Sequence, residues 1–141
     1  MFKRSATSVW TGPGATGNGK VSTQSGLIKD MNYTFNQRFG DDAGTNPEEL
    51  IAAAHAACFG MAFSFKLANA GMEPQELRTT ATVTLDKAPG DWTLTAIHLD
   101  VKGKVSNGDA TKFEAAAQDA KATCPISRVL NTNITVTATM E

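Results

Sequence analysis

The chain is poor in most features that advertise a function. Two cysteines and two histidines are all it has of the thiolate and imidazole metal ligands among 141 residues, and they form neither a paired CxxC nor an HExxH. Charge of one sign is missing as well. Thirteen basic against fourteen acidic side chains give a net charge of −1, with no long run of like charge to bind nucleic acid or an anionic membrane surface. The longest apolar segment, Leu50 to Phe65, is about sixteen residues and carries His55 and Ser64, so it falls short of a membrane span. Met1-Phe2-Lys3-Arg4 has the charge of a signal peptide but not its apolar stretch. A cytoplasmic protein is therefore expected, in a compartment where two cysteines are free or cycling more often than fixed as a structural bridge. The glycine-rich segment Gly12 to Gly19 lacks the glycine-lysine-serine/threonine ending of a phosphate loop and serves as a hairpin connection.

What is present fits one domain over residues 1–141. Ala6 to Trp10 and Lys20 to Ser25 are strand candidates. Tyr33 to Phe39 alternates Tyr33, Phe35, Gln37 and Phe39 with polar residues, which predicts a strand with Arg38 on its polar face. Asn46-Pro47-Glu48-Glu49 is a helix start with a cap, a first-turn proline and two carboxylates at the positive end. This helix should run to about Ala70, where Gly71 stops it, with Ile51, Ala54, Cys58, Met61, Ala62 and Phe65 along one stripe and Phe59 and Phe63 on the other side. A helix apolar on most sides is expected at the centre of the core, covered by sheet on one side and by another helix or subunit on the other. Thr79 to Leu85 and Trp92 to Val101 form a hairpin about Pro89-Gly90. Asp109 caps a helix with Phe113, Ala116, Ala117 and Ala120 on its inner stripe, and the next step of four lands on Cys124. Pro125 opens a short helix through Leu130, and Ile134 to Met140 alternates as a closing strand. The pattern is α+β with antiparallel sheet and a long central helix.

Each cysteine thus sits on or beside a helix in apolar surroundings. If the fold joins them, they make a thiol pair suited to a small apolar electrophile. A thiolate in such a place needs an activator, because burial favours the neutral thiol. Cys124 has the backbone N–H groups that follow Pro125; Cys58, mid-helix, depends on side chains from elsewhere, with Arg38 the first candidate. Glu48 lies about 80 degrees around the helix from Cys58 and about 15 Å along it. It must therefore orient Arg38 or reach the thiol of a symmetry mate, which points to a dimer. Two other readings stand beside this one. The cysteines are small buried hydrophobes in a binding or structural protein, or they join His55 in a metal site; His55 is otherwise a core histidine.

Arg38-Phe39, the stretch Gly44-Thr45-Asn46-Pro47-Glu48-Glu49-Leu50-Ile51-Ala52-Ala53-Ala54-His55-Ala56-Ala57-Cys58-Phe59 and the later Cys124-Pro125-Ile126-Ser127 resemble the osmotically inducible protein C family, sibling to the organic hydroperoxide resistance proteins. Lys20-Val21-Ser22-Thr23 and Leu85-Asp86-Lys87 match as well. The resemblance implies an intertwined α+β homodimer and a thiol-dependent peroxidase that needs no cofactor and no metal. It implies Cys58 as the peroxidatic and Cys124 as the resolving cysteine, with Glu48 the helix-start carboxylate and Arg38 its arginine. Gly17 stands where the sibling branch carries an arginine, which places the chain nearer the first branch. On this reading the Cys58 thiolate attacks the O–O bond, Cys124 closes a disulfide on the resulting sulfenic acid, and an external dithiol or thiol protein reduces it. Phe39, Phe59 and Met61 would line the site and favour an organic hydroperoxide over hydrogen peroxide.

Overall fold

Tight turns between β-prone segments shape the N-terminal part of the chain in the computed structural model, which describes residues 1–141. Contacts divide the chain into Met1–Leu50 and Ile51–Glu141. In the first unit β1 (Ala6–Thr11), β2 (Asn18–Thr23) and β3 (Met31–Tyr33) form an antiparallel meander in that order. All of β1 is exposed.

The strand expected from Tyr33 to Phe39 stops at Tyr33. The Thr34 hydroxyl accepts the Gln37 N–H at 3.3 Å and caps a one-turn helix, α1 (Phe35–Phe39), which Gly40 ends by donating its N–H to the Asn36 carbonyl at 2.9 Å. Aromatic residues at 35 and 39 satisfy period two and helical i, i+4 spacing alike; the cap decides for the helix. Their rings meet at 4.9 Å.

Helix α2 (Pro47–Asn69) starts as its sequence predicts, with Asn46 Oδ1 accepting the Glu49 N–H at 2.8 Å. It ends at Gly71, whose φ of 80° only glycine adopts without strain. There the Met72 N–H reaches the Leu67 carbonyl and the Gly71 N–H the Ala68 carbonyl, both at 3.0 Å, and Leu67 and Met72 are buried. The helix is long and apolar enough to cross a membrane by length and composition, yet one side of it is built into the second unit's core. That side is His55, Phe59, Phe63 and Leu67, each 0 % exposed. It is not the expected stripe: Met61 and Phe65 are 68 % and 66 % exposed. Within this chain the helix is thus covered on one side, as expected, and the side that carries Met61 and Phe65 is not covered by another helix of the same chain.

The rest of the second unit is a three-stranded sheet of order β4-β5-β6 with two helices. Strands β4 (Glu73–Ala88) and β5 (Asp91–Ser106) make a long hairpin joined by Pro89-Gly90. A register shift sets Thr84 opposite Ala96 but Leu85 opposite Leu94, which leaves Thr95 as an extra residue. This bulge reverses the alternation, so Ile97, Leu99 and Val101 are the buried positions further along β5. Strand β6 (Asn133–Met140) pairs with β5 in parallel, so the sheet is mixed where antiparallel pairing was expected. Helices α3 (Ala110–Thr123) and α4 (Pro125–Val129) supply the crossover that parallel neighbours require.

Helix α3 is capped by Asp109, which accepts the Lys112 N–H at 2.9 Å, and buries Phe113, Ala116, Ala117 and Ala120 as its sequence predicts. The Phe63 and Phe113 rings meet edge-on at 4.9 Å. Gly103 makes room for Phe113 and Leu77: a Cβ there would come within 2.7 Å of the Phe113 ring and 2.8 Å of Leu77. Each buried phenylalanine contributes about 2–3 kcal/mol by removal from water, so Phe59, Phe63 and Phe113 are the main anchors of α2 and α3 on the sheet.

Candidate active site

The thiol pair follows from this packing. Cys58 stands on α2 next to buried Phe59 and is itself half-buried, while Cys124 continues the inner stripe of α3 and is 0 % exposed. The alanine face of α3 leaves its end deep in the core, where Cys124 both terminates α3 and starts α4; its N–H reaches the Ala120 carbonyl at 2.9 Å and its carbonyl accepts the Arg128 N–H at 3.1 Å. The two sulfurs are 2.8 Å apart, with the Cys124 thiol donating to Cys58, and neither is in a disulfide. Residues 66 positions apart in sequence are therefore poised for direct S–S bond formation.

Opposing local effects act on the Cys58 thiol. Burial and the neighbouring Cys124 push the Cys58 thiol above its ordinary value of 9.0, and the Ile126 backbone N–H pulls against them. Ile126 lies in the first turn of α4, where N–H groups have no partner inside the helix, so this one is available to Cys58. The helix start after Pro125 thus serves Cys58, whereas the sequence suggested Cys124 as its beneficiary. One N–H does not supply the full charge that a thiolate requires.

One turn before Cys58, His55 is fully buried and shares a hydrogen bond of 2.7 Å with Ser127 Oγ, while its Nδ1 has no partner. Burial holds its pKa below 6.5, so the ring is neutral at physiological pH. His55 is the core histidine that its sequence position favoured, with only one of its two nitrogens satisfied. No three His, Cys, Asp or Glu side chains converge to hold a metal ion. Ser127 had no assigned role, and only its place three residues after Cys124 could have pointed to it.

Arg38 and Glu48 come together in the first unit. Arg38 Nε donates to both carboxylate oxygens of Glu48, at 3.0 and 3.1 Å, and Nη2 donates to Oε1 at 2.6 Å. The Glu48 side chain is 11 % exposed and that of Arg38 38 %. Arg38 comes from α1 and not from the face of a strand. It does not point away from Phe39, as strand geometry required, but places its Cζ over the Phe39 ring, 4.9 Å from the centroid. Phe39 and Arg38 also line a cavity of about 490 Å³ with Trp10, Tyr33 and Phe35. Of the residues expected to line the substrate site, Phe39 lines that cavity, Phe59 is sealed in the core, and Met61 lies on the exposed side of α2.

Comparison with known proteins agrees with the geometry. Residues 40–139 match the family model of OsmC-like protein. The chain is 48 % identical over 127 residues to peroxiredoxin OsmC of Escherichia coli, covering 90 % of this chain and 89 % of that one. It is 36 % identical over 104 residues to organic hydroperoxide resistance protein-like 1 of Staphylococcus epidermidis, covering 72 % of each. A crystal structure of an organic hydroperoxide resistance protein OsmC from Legionella pneumophila has the same fold, with a TM-score of 0.72 at 23 % identity over 100 % of this chain and 98 % of that one. The protein is a member of the OsmC family, on the side of the peroxiredoxin OsmC branch.

Proposed function

We propose that this protein is a cysteine peroxidase that reduces organic hydroperoxides, with hydrogen peroxide a poorer substrate. The observation that carries the reading is the pair of thiols 2.8 Å apart at the junction of α2 with α3 and α4. Kinship to a peroxiredoxin supports it, as does kinship to a protein named for organic hydroperoxide resistance.

Cys58 acts as the peroxidatic residue. Its thiolate attacks one peroxide oxygen, the O–O bond breaks, and the alkoxide leaves as alcohol after taking a proton, giving Cys58 sulfenic acid. The Cys124 thiol then displaces hydroxide from that sulfur, releasing water and forming the Cys58–Cys124 disulfide. An external dithiol or thiol protein returns both to thiols by exchange. Cys58 is assigned the first step because it is the more exposed sulfur and receives the Ile126 N–H.

Because burial holds the Cys58 thiol up, the thiolate needs a cation. Arg38 is the one we assign, with Glu48 fixing its plane so that the remaining guanidinium N–H groups serve the thiolate and the peroxide oxygens. The protein works as a homodimer: Met61, Phe65 and the whole of β1 are exposed in the single chain, and cover by a second copy removes that apolar surface from water. Residues 1–141 act as one domain, since neither unit alone holds both the thiols and the ion pair. The cytoplasm, where thiol reductants are abundant, suits the cycle.

The direct test is peroxide consumption by the metal-free protein with an alkyl hydroperoxide and a dithiol. Consumption that disappears in Cys58→Ser supports the reading, and no consumption above that variant overturns it.

A further inference from the structure

Helix α4, as short as α1 at five residues, carries the groups that matter most to Cys58, yet it buries no residue completely. Ile126 packs partly on the core and supplies its N–H to Cys58. Beyond this the helix is tied to α2 by one polar contact, the 2.7 Å hydrogen bond between His55 and Ser127. The spacing is symmetrical: His55 stands three residues before Cys58 and Ser127 three residues after Cys124. One helical turn from the two sulfurs, a second bridge thus links the same two elements.

The tautomer can be assigned. His55 Nδ1 is buried without a partner, and a proton there would be a stranded donor, which native interiors tolerate less than an idle acceptor. The proton therefore sits on Nε2 and is donated to Ser127 Oγ. The bond is directional and its two ends are fixed on the backbones of α2 and α4.

We propose that His55 and Ser127 are positioning residues for resolution: their hydrogen bond keeps α4, and with it the Cys124 sulfur, against Cys58 while no covalent bond joins the helices. This rests on the peroxidase reading. The need arises between the two oxidation steps. Cys58 sulfenic acid has two fates. Cys124–SH attacks it to give the disulfide and water, or a second hydroperoxide oxidises it to sulfinic acid with release of a second alcohol. The first fate depends on Cys124 staying within reach while Cys58 carries an added oxygen. A helix without a fully buried side chain can move away, and the His55–Ser127 bond opposes that movement.

The test is the partition of Cys58 between disulfide and sulfinic acid, read by intact-mass and peptide-mass spectrometry after treatment with excess cumene hydroperoxide in the absence of reductant. Ser127→Ala should raise the ratio of sulfinic acid to disulfide roughly fivefold at equal peroxide, the factor expected for one ordinary hydrogen bond. Ser127→Thr, which keeps the hydroxyl, should return it towards the wild-type ratio. The pair His55→Leu with Ser127→Ala removes both polar groups, which favours folding over a single unpaired one, and should still show the raised ratio. An unchanged partition in Ser127→Ala overturns the proposal. So does a wild-type ratio in the folded double variant, because the pair would then matter only for stability. Failure of the wild-type protein to form any Cys58–Cys124 disulfide would instead count against the peroxidase reading itself.

Discussion

The thiol region and the ion-pair region follow opposite electrostatic plans. Around Cys58 the contacts are a thiol, a backbone N–H and a phenylalanine core, and burial pushes the sulfur towards its neutral form. Around Arg38 the contacts are a carboxylate and an aromatic ring. One region has nucleophiles without a formal charge to activate them, and the other has a fixed charge without a nucleophile. A thiol kept neutral in the core is protected from adventitious oxidation, and a guanidinium held by a nearly buried carboxylate is already oriented before substrate arrives. The proposed chemistry draws on both, so each half can be attacked separately.

The largest effects belong to the thiols. Cys58→Ser should reduce hydroperoxide turnover by about a thousandfold or more, measured by peroxide consumption with a dithiol reductant. Cys124→Ser should keep a fast first round but lose sustained turnover, which rapid-mixing kinetics will separate. The next effect tests the charged half. Arg38→Met should slow the first round by roughly a hundredfold and shift the pH midpoint of Cys58 alkylation upwards, since burial and the neighbouring Cys124 already push that thiol up and the variant removes the cation assigned to oppose them. Glu48→Gln should act in the same direction but less strongly, because it leaves the guanidinium in place and removes only its orientation. If both variants alkylate with the wild-type pH profile, the charged region has no part in activating the thiol.

Two smaller effects sharpen the contrast between what each region buries. Met61→Glu puts a charge on the exposed side of α2 and should convert the proposed dimer to monomer in sedimentation velocity, with the far-ultraviolet circular dichroism retained. The smallest concerns His55. Its folded-state pKa lies below 6.5 through burial, so the unfolded chain binds the extra proton first. The stabilisation is complete above pH 6.5 and is lost progressively as pH falls through the folded value. Denaturant melts at pH 7.5 and pH 5 should show that loss, and His55→Leu should flatten it.

Much of this was legible in the sequence where a local signal has one meaning. Asn46-Pro47 specified the start of α2, Gly71 its end, and the Phe113–Ala116–Ala117–Ala120 stripe carried Cys124 into the core. Signals with two meanings misled. Phe35 and Phe39 fit a strand and a helix equally, and the Thr34 cap settled a choice that hydrophobic spacing could not. The irregular run from Leu94 to Ile97 concealed the Thr95 bulge, because an inserted residue looks like lost periodicity until its partner strand is known. Apolar residues all round α2 hid which side faces the sheet; that depends on Phe113 and β5, far away in the chain. The parallel pairing of β6 is likewise a property of topology and not of its alternating residues. In the site, the residue types and the Arg38–Glu48 pair were legible, whereas the Ile126 N–H at Cys58 and the Ser127 hydroxyl at His55 appear only once α4 is folded.

The most direct measurement is the intact mass of the reduced protein after one equivalent of an alkyl hydroperoxide, on wild type and on Cys124→Ser in parallel. Wild type should lose two hydrogens as the Cys58–Cys124 disulfide forms, and Cys124→Ser should gain one oxygen on Cys58. Oxygen found first on Cys124, with Cys58 unmodified, would contradict the assignment of the two sulfurs and the activation scheme built on Arg38 and Glu48.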